Sequence, residues 1–191
     1  GKDGDFTTAP QISPLFAQCI ARQCQQILAT LSAKNILELG AGTGQLAVDL
    51  LLALEQLKQA PTHYYIYEIS SALRARQKKL LQERCPQLAD RVIWLDKIPA
   101  GFEGIMIGNE VLDALPVHCF EVTTDGIQER CVSLDGDALS WTLAKPTTPE
   151  LAAASQISEL YQLPPGYRSE INLNMNKLVH SLAQHLAEGV I

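Results

Sequence analysis

The chain has 191 residues, enough for one domain with a sizeable core. Apolar residues make up 47% and charged residues 19%, which excludes a disordered chain. With 15 Lys plus Arg against 21 Asp plus Glu the net charge is −6, a poor composition for neutralising phosphates, so no nucleic-acid partner is expected.

The densest basic stretch, Arg74, Arg76, Lys78 and Lys79, reads as a solvated helix face. The five cysteines, Cys19, Cys24, Cys85, Cys119 and Cys131, are odd in number and lack a CxxC pair. They read as buried small hydrophobes in a reducing compartment, and neither they nor the four His have metal-ligand spacing. No apolar run approaches the roughly 18–20 residues that a bilayer span needs. The chain opens on Gly and stops at Gly189-Val190-Ile191, where the pattern opens a strand, and so reads as a piece of a longer protein cut at its C-terminal side.

In chain order, residues 1–12 are polar and rich in turn formers. Ser13-Pro14 predicts a cap and a first helical position, and apolar spacing from Leu15 carries a helix to about residue 32. Asn35–Leu39 predicts a strand ended by the turn Gly40-Ala41-Gly42-Thr43-Gly44, then a Leu-rich helix from Gln45 to about Lys58. Tyr64–Tyr67 is the next strand, closing at Glu68. Ser70 or Ser71 caps a helix that Cys85-Pro86 stops near Arg84. Val92–Leu95 ends at Asp96, and a fourth strand over Gly104–Gly108 ends at Asn109-Glu110. Alternating strands and helices imply a parallel sheet, and hence a doubly wound α/β fold.

The pattern then changes to β-rich runs over Val117–Thr124, Ile127–Leu134 and Ala138–Leu143, separated by Asp125-Gly126 and Asp135-Gly136. These are hairpin signals, and they predict an antiparallel meander inserted after the fourth strand. A helix over about 149–163 and a last helix over about 174–188, closed by Gly189, complete the expectations. The expected division is a covering segment and helix over 1–32, a ligand-binding core over 33–116, an inserted meander and helix over 117–170, and a return helix with the start of a strand over 171–191.

The chemistry concentrates in Glu38 to Gly44. Glycines at a strand-to-helix turn let a ligand lie against bare backbone. The dinucleotide fingerprint GxGxxG is not met, because the third Gly comes one residue early, at Gly44. Glu38, beside this turn, would repel a pyrophosphate and attract an ammonium or sulfonium, by about 4 kcal/mol at 4 Å and an effective dielectric of 20. Glu68 can accept hydrogen bonds from both hydroxyls of a ribose, and Asp96 is placed to meet an adenine amino group. Each of these carboxylates is alternatively a solvated strand end.

Glu38–Gly44 resembles the first motif of class I methyltransferases. With Gly4–Phe16 and Gly108–Val117 the chain is similar to the MidA-like family, whose mitochondrial members are protein arginine methyltransferases acting in respiratory complex I assembly. The resemblance runs over nearly the whole chain and includes Tyr167–Glu170. It implies a Rossmann-like methyltransferase sheet, S-adenosylmethionine as cofactor, and a protein acceptor of the respiratory-subunit kind. It also implies the cytoplasm for a bacterial source or the mitochondrial matrix for a eukaryotic one. Gly40, Gly42 and Gly44 would cradle the cofactor, and Thr7 and Thr8 would meet its methionine carboxylate.

Asn109, Glu110 and Asp113 would then lie on the acceptor side. Glu110 and Asp113, three apart, would share one face of a helical turn and hold a guanidinium, and Glu170 would add a third acidic contact. No metal is required. A cofactor-binding assembly module without catalysis, a homo-oligomer associating through an exposed sheet edge, and, more remotely, an NAD-dependent oxidoreductase are the other expectations the residues leave open.

Overall fold

The computed structural model describes residues 8–153 and 160–191. In chain order the described strands are β1 (Asn35–Leu39), β2 (His63–Tyr67), β3 (Val92–Leu95), β4 (Phe102–Gly108), β5 (His118–Thr123), β6 (Gly126–Asp135), β7 (Ala138–Ala144), β8 (Arg168–Ile171) and β9 (Leu186–Val190). The helices are α1 (Ala9–Ile12), α2 (Leu15–Thr30), α3 (Gln45–Gln56), α4 (Ser71–Arg84), α5 (Pro149–Ala153) and α6 (Met175–His185). The chain forms two compact units, one of residues 1–111 with 181–191 and one of residues 112–180. The meander and helix expected over 117–170 fall within the second.

The first unit holds a five-stranded sheet in the order β3-β2-β1-β4-β9, parallel throughout. Ile36 stands opposite Ile105 and Leu37 opposite Met106, and all four are buried. Both faces of the central strands are therefore covered, which is why β1 reads as an unbroken apolar run rather than an alternation. α3 is buried almost all round, from Leu46 to Leu54, because α2 and α4 both pack against it. Ser70 caps α4 by accepting the Leu73 N–H at 3.3 Å, as Ser70 or Ser71 was expected to do.

Three expectations are corrected in this unit. In the described part of the polar start, Ala9–Ile12 form a helical turn, α1. Cys24 and Cys85 are buried, but Cys19 is exposed, and in the second unit Cys119 and Cys131 are only half-buried. The last helix stops at His185 instead of reaching Glu188, and residues 186–190 form the strand beside β4. Gly189 is thus a strand residue and not a helix stop. It faces Gly104, and the two backbones approach too closely for any side chain.

The second unit is an antiparallel sheet in the order β7-β6-β5-β8. The two hairpin turns fall at Thr124-Asp125 and Gly136-Asp137, each one residue from its Asp-Gly signal. Phe120, Val122, Ile127 and Leu151 make its core. β8, which periodicity did not reveal, pairs antiparallel with β5. Of the helix expected over 149–163, residues 149–153 are helical, and residues 154–159 lie outside the described set. Among the described residues no helix is long and apolar enough to cross a membrane, and no group of His, Cys, Asp and Glu is placed to hold a metal ion.

Candidate functional site

Strand order reverses between β1 and β4, and in open parallel sheets a crevice opens at such a point, outside the carboxyl ends of the strands. The loops leaving these two strands are Gly40–Gly44 and Asn109-Glu110. They meet at a pocket of about 210 Å³ lined by Thr8, Glu38, Gly40, Gly42, Asn109 and Glu110, among others. Six of the residues singled out from the sequence are therefore brought together. Thr7 lies outside the described residues.

The glycines serve different ends. At Gly42 an added Cβ would meet nothing within 4 Å, so its requirement is the left-handed backbone at φ +54°. Gly44, at φ +84°, also answers to space: a Cβ there would lie 3.1 Å from Gln77 Cγ and 3.3 Å from its Cα. The absence of a side chain at Gly44 lets α4 come up beneath the loop.

Glu38 is 2% exposed. Its Oε2 accepts the Tyr64 hydroxyl at 2.8 Å. Tyr64 stands opposite Ile36 in the register, two residues before the partner of Glu38, so its ring reaches along the sheet to the carboxylate. Burial pushes the Glu38 carboxyl up to about 7; the Tyr64 hydrogen bond opposes the shift and the nearby charge of Glu68 adds to it. The same burial, with Glu38 beside it, raises the Tyr64 hydroxyl and keeps it protonated. Glu38 is consequently a carboxyl that a neighbouring cation would ionise.

Glu68 is buried as well. Its Oε1 accepts the Ser70 N–H at 3.0 Å and its Oε2 accepts Gln77 Nε2 at 3.3 Å, which leaves lone pairs on both oxygens for a diol. The same Gln77 nitrogen donates to the Gly42 carbonyl at 2.9 Å, and Gln77 Oε1 accepts the Trp94 indole N–H at 2.8 Å. One fully buried amide thus ties the Gly loop to Glu68 and to β3. Replacing Gln77 with Ala should strand the buried Glu68 carboxylate and two part-buried partners, the Gly42 carbonyl and the Trp94 indole N–H, and cost about 3 kcal/mol. A melting temperature lowered by roughly 6–12 °C in calorimetry is the expected reading.

Asp96 is not among the pocket's lining residues. Its carboxylate is exposed and paired with Arg74 Nη1 at 2.7 Å. Arg74 also donates from Nη2 to the Leu95 carbonyl at 2.7 Å and from Nε to the Glu68 carbonyl. Arg74 therefore does not belong to a solvated basic face: it joins the carboxyl ends of β2 and β3. Arg76, Lys78 and Lys79 are exposed as expected, with Lys78 5.1 Å from the Trp94 ring centre.

Glu110 has φ +53°, a left-handed conformation that costs a residue bearing a Cβ of order 1–3 kcal/mol. Such strain persists where the surroundings enforce it, and the side chain of the next residue, Val111, occupies the space beside Gly108 and Gly40. The helical turn expected to align Glu110 with Asp113 is not formed: a single tight turn spans Leu112–Ala114, and Glu110 lies before it. Glu170 is an exposed residue of β8, opposite Cys119. Arg168, two residues before it, holds Glu121 at 2.7 Å.

Tyr64, Gln77 and Arg74 were not identified from the sequence as site residues. The signal for Tyr64 was available in principle, because a carboxylate on a fully apolar strand must find a buried donor.

A family model described as "Putative S-adenosyl-L-methionine-dependent methyltransferase" matches residues 19–191. The Caenorhabditis elegans protein named as a mitochondrial protein arginine methyltransferase NDUFAF7 homolog is 33% identical over 159 residues, covering 72% of this chain and 37% of that protein. The Homo sapiens protein arginine methyltransferase NDUFAF7, mitochondrial, is 29% identical over 178 residues, covering 78% and 40%. A Burkholderia thailandensis crystal structure bound to S-adenosyl-homocysteine is 40% identical with a TM-score of 0.87, covering 97% of this chain and 48% of that one. The chain spans less than half the length of these relatives. It belongs to the MidA-like family of S-adenosyl-L-methionine-dependent methyltransferases.

Proposed function

We propose that the intact protein transfers a methyl group from S-adenosylmethionine to an arginine of a protein acceptor. The observation that carries this reading is the buried Glu38 beside a glycine backbone cradle, with Glu110 held in a strained turn on the same pocket. The residues present fit the cofactor. Gly40 to Gly44 offer bare backbone, and Thr8 is at hand for a carboxylate. Glu38 would supply an anion for the ammonium, and Glu68, at the end of β2 and outside the pocket's lining, two oxygens for the ribose. Gly44 would act indirectly, by admitting Gln77 beneath the loop. Asp96 is assigned to the adenine side from its place at the end of β3.

When bound, the cofactor supplies an electrophilic methyl on a sulfonium. The chain's task is then to exclude water and align a nitrogen with that methyl, and positioning of this kind is worth roughly 7–11 kcal/mol of a barrier. Glu110 and Asn109 would hold the guanidinium: the carboxylate takes two of its N–H donors and keeps the positive charge away from the attacking nitrogen. Asp113, three residues on in sequence, is assigned a further acceptor contact. No metal takes part in this assignment.

The acceptor is proposed to be a protein, because two relatives are named as mitochondrial protein arginine methyltransferases, and a respiratory-complex subunit is the finer reading that the family resemblance adds. The setting would be the mitochondrial matrix in a eukaryote and the cytoplasm in a bacterium. Glu110→Gln in the intact protein should lower kcat for methyl transfer at least a hundredfold and leave the Kd for S-adenosylhomocysteine within threefold. A radiomethyl assay alongside calorimetric titration checks both. Undiminished transfer would remove Glu110 from the mechanism.

A further inference from the structure

In the second unit's sheet β7 is an outer strand, paired with β6 alone among the described strands. Such an edge presents unpaired N–H and C=O groups, and chains protect it with charged residues, Pro or brevity. The opposite edge is protected in this way: β8 has four residues, and two of them are Arg168 and Glu170. β7 has seven residues, Ala138-Leu139-Ser140-Trp141-Thr142-Leu143-Ala144, without a charge or a Pro. Its alternate residues Leu139, Trp141 and Leu143 share one face and are 76%, 57% and 47% exposed. Arg130 lies over the Trp141 ring at 4.3 Å, but it also faces Glu121 at 3.9 Å and so adds no free charge to this edge.

The order of residues along β7 is symmetric about Trp141. Set antiparallel to a second copy across a two-fold axis at Trp141, the strand matches itself. Leu139 meets Leu143 of the second copy, Ser140 meets Thr142, Ala138 meets Ala144, and Trp141 meets its own counterpart. One position further out stand Asp137 and Lys145, both exposed and neither ion-paired among the described residues. The same register sets Asp137 of each copy against Lys145 of the other. A slip of one residue breaks all of these matches together. A two-fold contact requires a patch complementary to itself, whereas a segment of another protein would need no such symmetry.

We infer that β7 is a docking edge for a second copy of this chain, which joins the two sheets antiparallel across a two-fold axis at Trp141. The inference depends on neither the cofactor nor the acceptor. A stable interface buries about 1,200–2,000 Å² in all, and one strand of about 24 Å from each copy covers less. The dimer is therefore weak and concentration-dependent.

Sedimentation of the intact protein over a concentration series is the test, with a Kd for dimerisation expected on the order of 1–100 μM. Lys145→Asp places two like-charge contacts in the dimer and should weaken it about tenfold or more, as should Asp137→Lys. The two reversals combined should restore the Kd to within about threefold of the parent. Cysteine trapping reports the register independently, in a Cys19→Ser background that removes the exposed thiol. Trp141→Cys should form a disulfide between copies on mild oxidation, because paired strand residues have Cα atoms about 4.5–5.5 Å apart. Ala138→Cys should not, since the two copies of that residue would lie about 20 Å apart along the strands. A parent that stays monomeric at about ten times the upper end of that Kd range overturns the inference, whether its own remaining length or another protein covers the edge. So does a dimer indifferent to both reversals, or one trapped equally well through positions 138 and 141.

Discussion

Replacing Glu38 with Gln is expected to stabilise the ligand-free protein above neutral pH and to weaken its binding of S-adenosylhomocysteine about a thousandfold. Both effects come from one buried carboxyl. In the fold it titrates near 7, against an ordinary value of 4.5. A carboxyl raised in this way contributes stability that is fully present below about 4.5 and is lost as the pH rises through 7, by about 3 kcal/mol in all. Glutamine has the same shape, can still accept the Tyr64 hydroxyl through its amide oxygen, and never ionises. The melting curves of parent and variant should therefore coincide near pH 4, separate as the pH rises from about 4.5 to 7, and stay apart above it, with the variant higher by up to roughly 6–12 °C. Binding should run the other way, because on the proposed assignment the cofactor's ammonium pairs with the ionised form, and a charge pair worth about 4 kcal/mol would be missing from the variant. In the parent, affinity should fall as the pH drops below 7, and binding there should release a proton, visible as heats that depend on the buffer's ionisation enthalpy. Unchanged affinity in the Gln variant would detach Glu38 from the cofactor. A melting difference independent of pH would show that its burial is not what sets its titration.

The same residue marks how far the sequence could be read. Glu38, the glycines and Asn109-Glu110 were legible because each ends a strand, and strand ends are fixed by the alternation of apolar runs with helices. Their meeting at one pocket follows from the strand order, which a βαβ pattern implies. What the sequence hid is lateral. Tyr64 looks like one more apolar strand residue until the register places it beside Glu38. Gln77 sits in a helix whose other polar residues are mostly exposed, and nothing in its spacing separates a buried amide from a solvated one. Arg74 was grouped with its basic neighbours on composition, although only its position near the start of α4 brings it to the ends of β2 and β3. β8 was missed because four residues on a sheet edge carry too little periodicity to register. The end of the last helix was misplaced because Gly189 serves equally well as a helix stop and as a point of close backbone approach.

That ambiguity leads to the largest stability effect expected in the molecule. Gly104 and Gly189 stand opposite each other in β4 and β9, at φ +146° and +139°, where the register slips between Phe102 and Glu103. A Cβ on Gly104 would lie 2.3 Å from the Asn35 carbonyl oxygen and 2.9 Å from its carbon; one on Gly189 would lie 1.8 Å from the Gly104 oxygen. The obstructing atoms are backbone in both cases, so no rotamer change relieves the clash. Strain at such φ values costs about 1–3 kcal/mol and overpacking about 1–3 kcal/mol more, with backbone obstruction at the upper end. Gly104→Ala and Gly189→Ala should each lose about 4 kcal/mol or more, a large share of the roughly 5–15 kcal/mol available to a domain. Gly101→Ala is the control. It also has positive φ, at +69°, but an added Cβ there meets nothing within 4 Å, so its cost should stay near the roughly 1–2 kcal/mol of the left-handed backbone alone. Urea unfolding midpoints give the comparison. Affinity for S-adenosylhomocysteine should fall with the Gly104 variant, because β4 carries Asn109 and Glu110 to the pocket. If Gly104→Ala proved no more costly than Gly101→Ala, the close approach of β4 to β1 and β9 would be relaxed in solution, and the placement of Glu110 would lose its structural support.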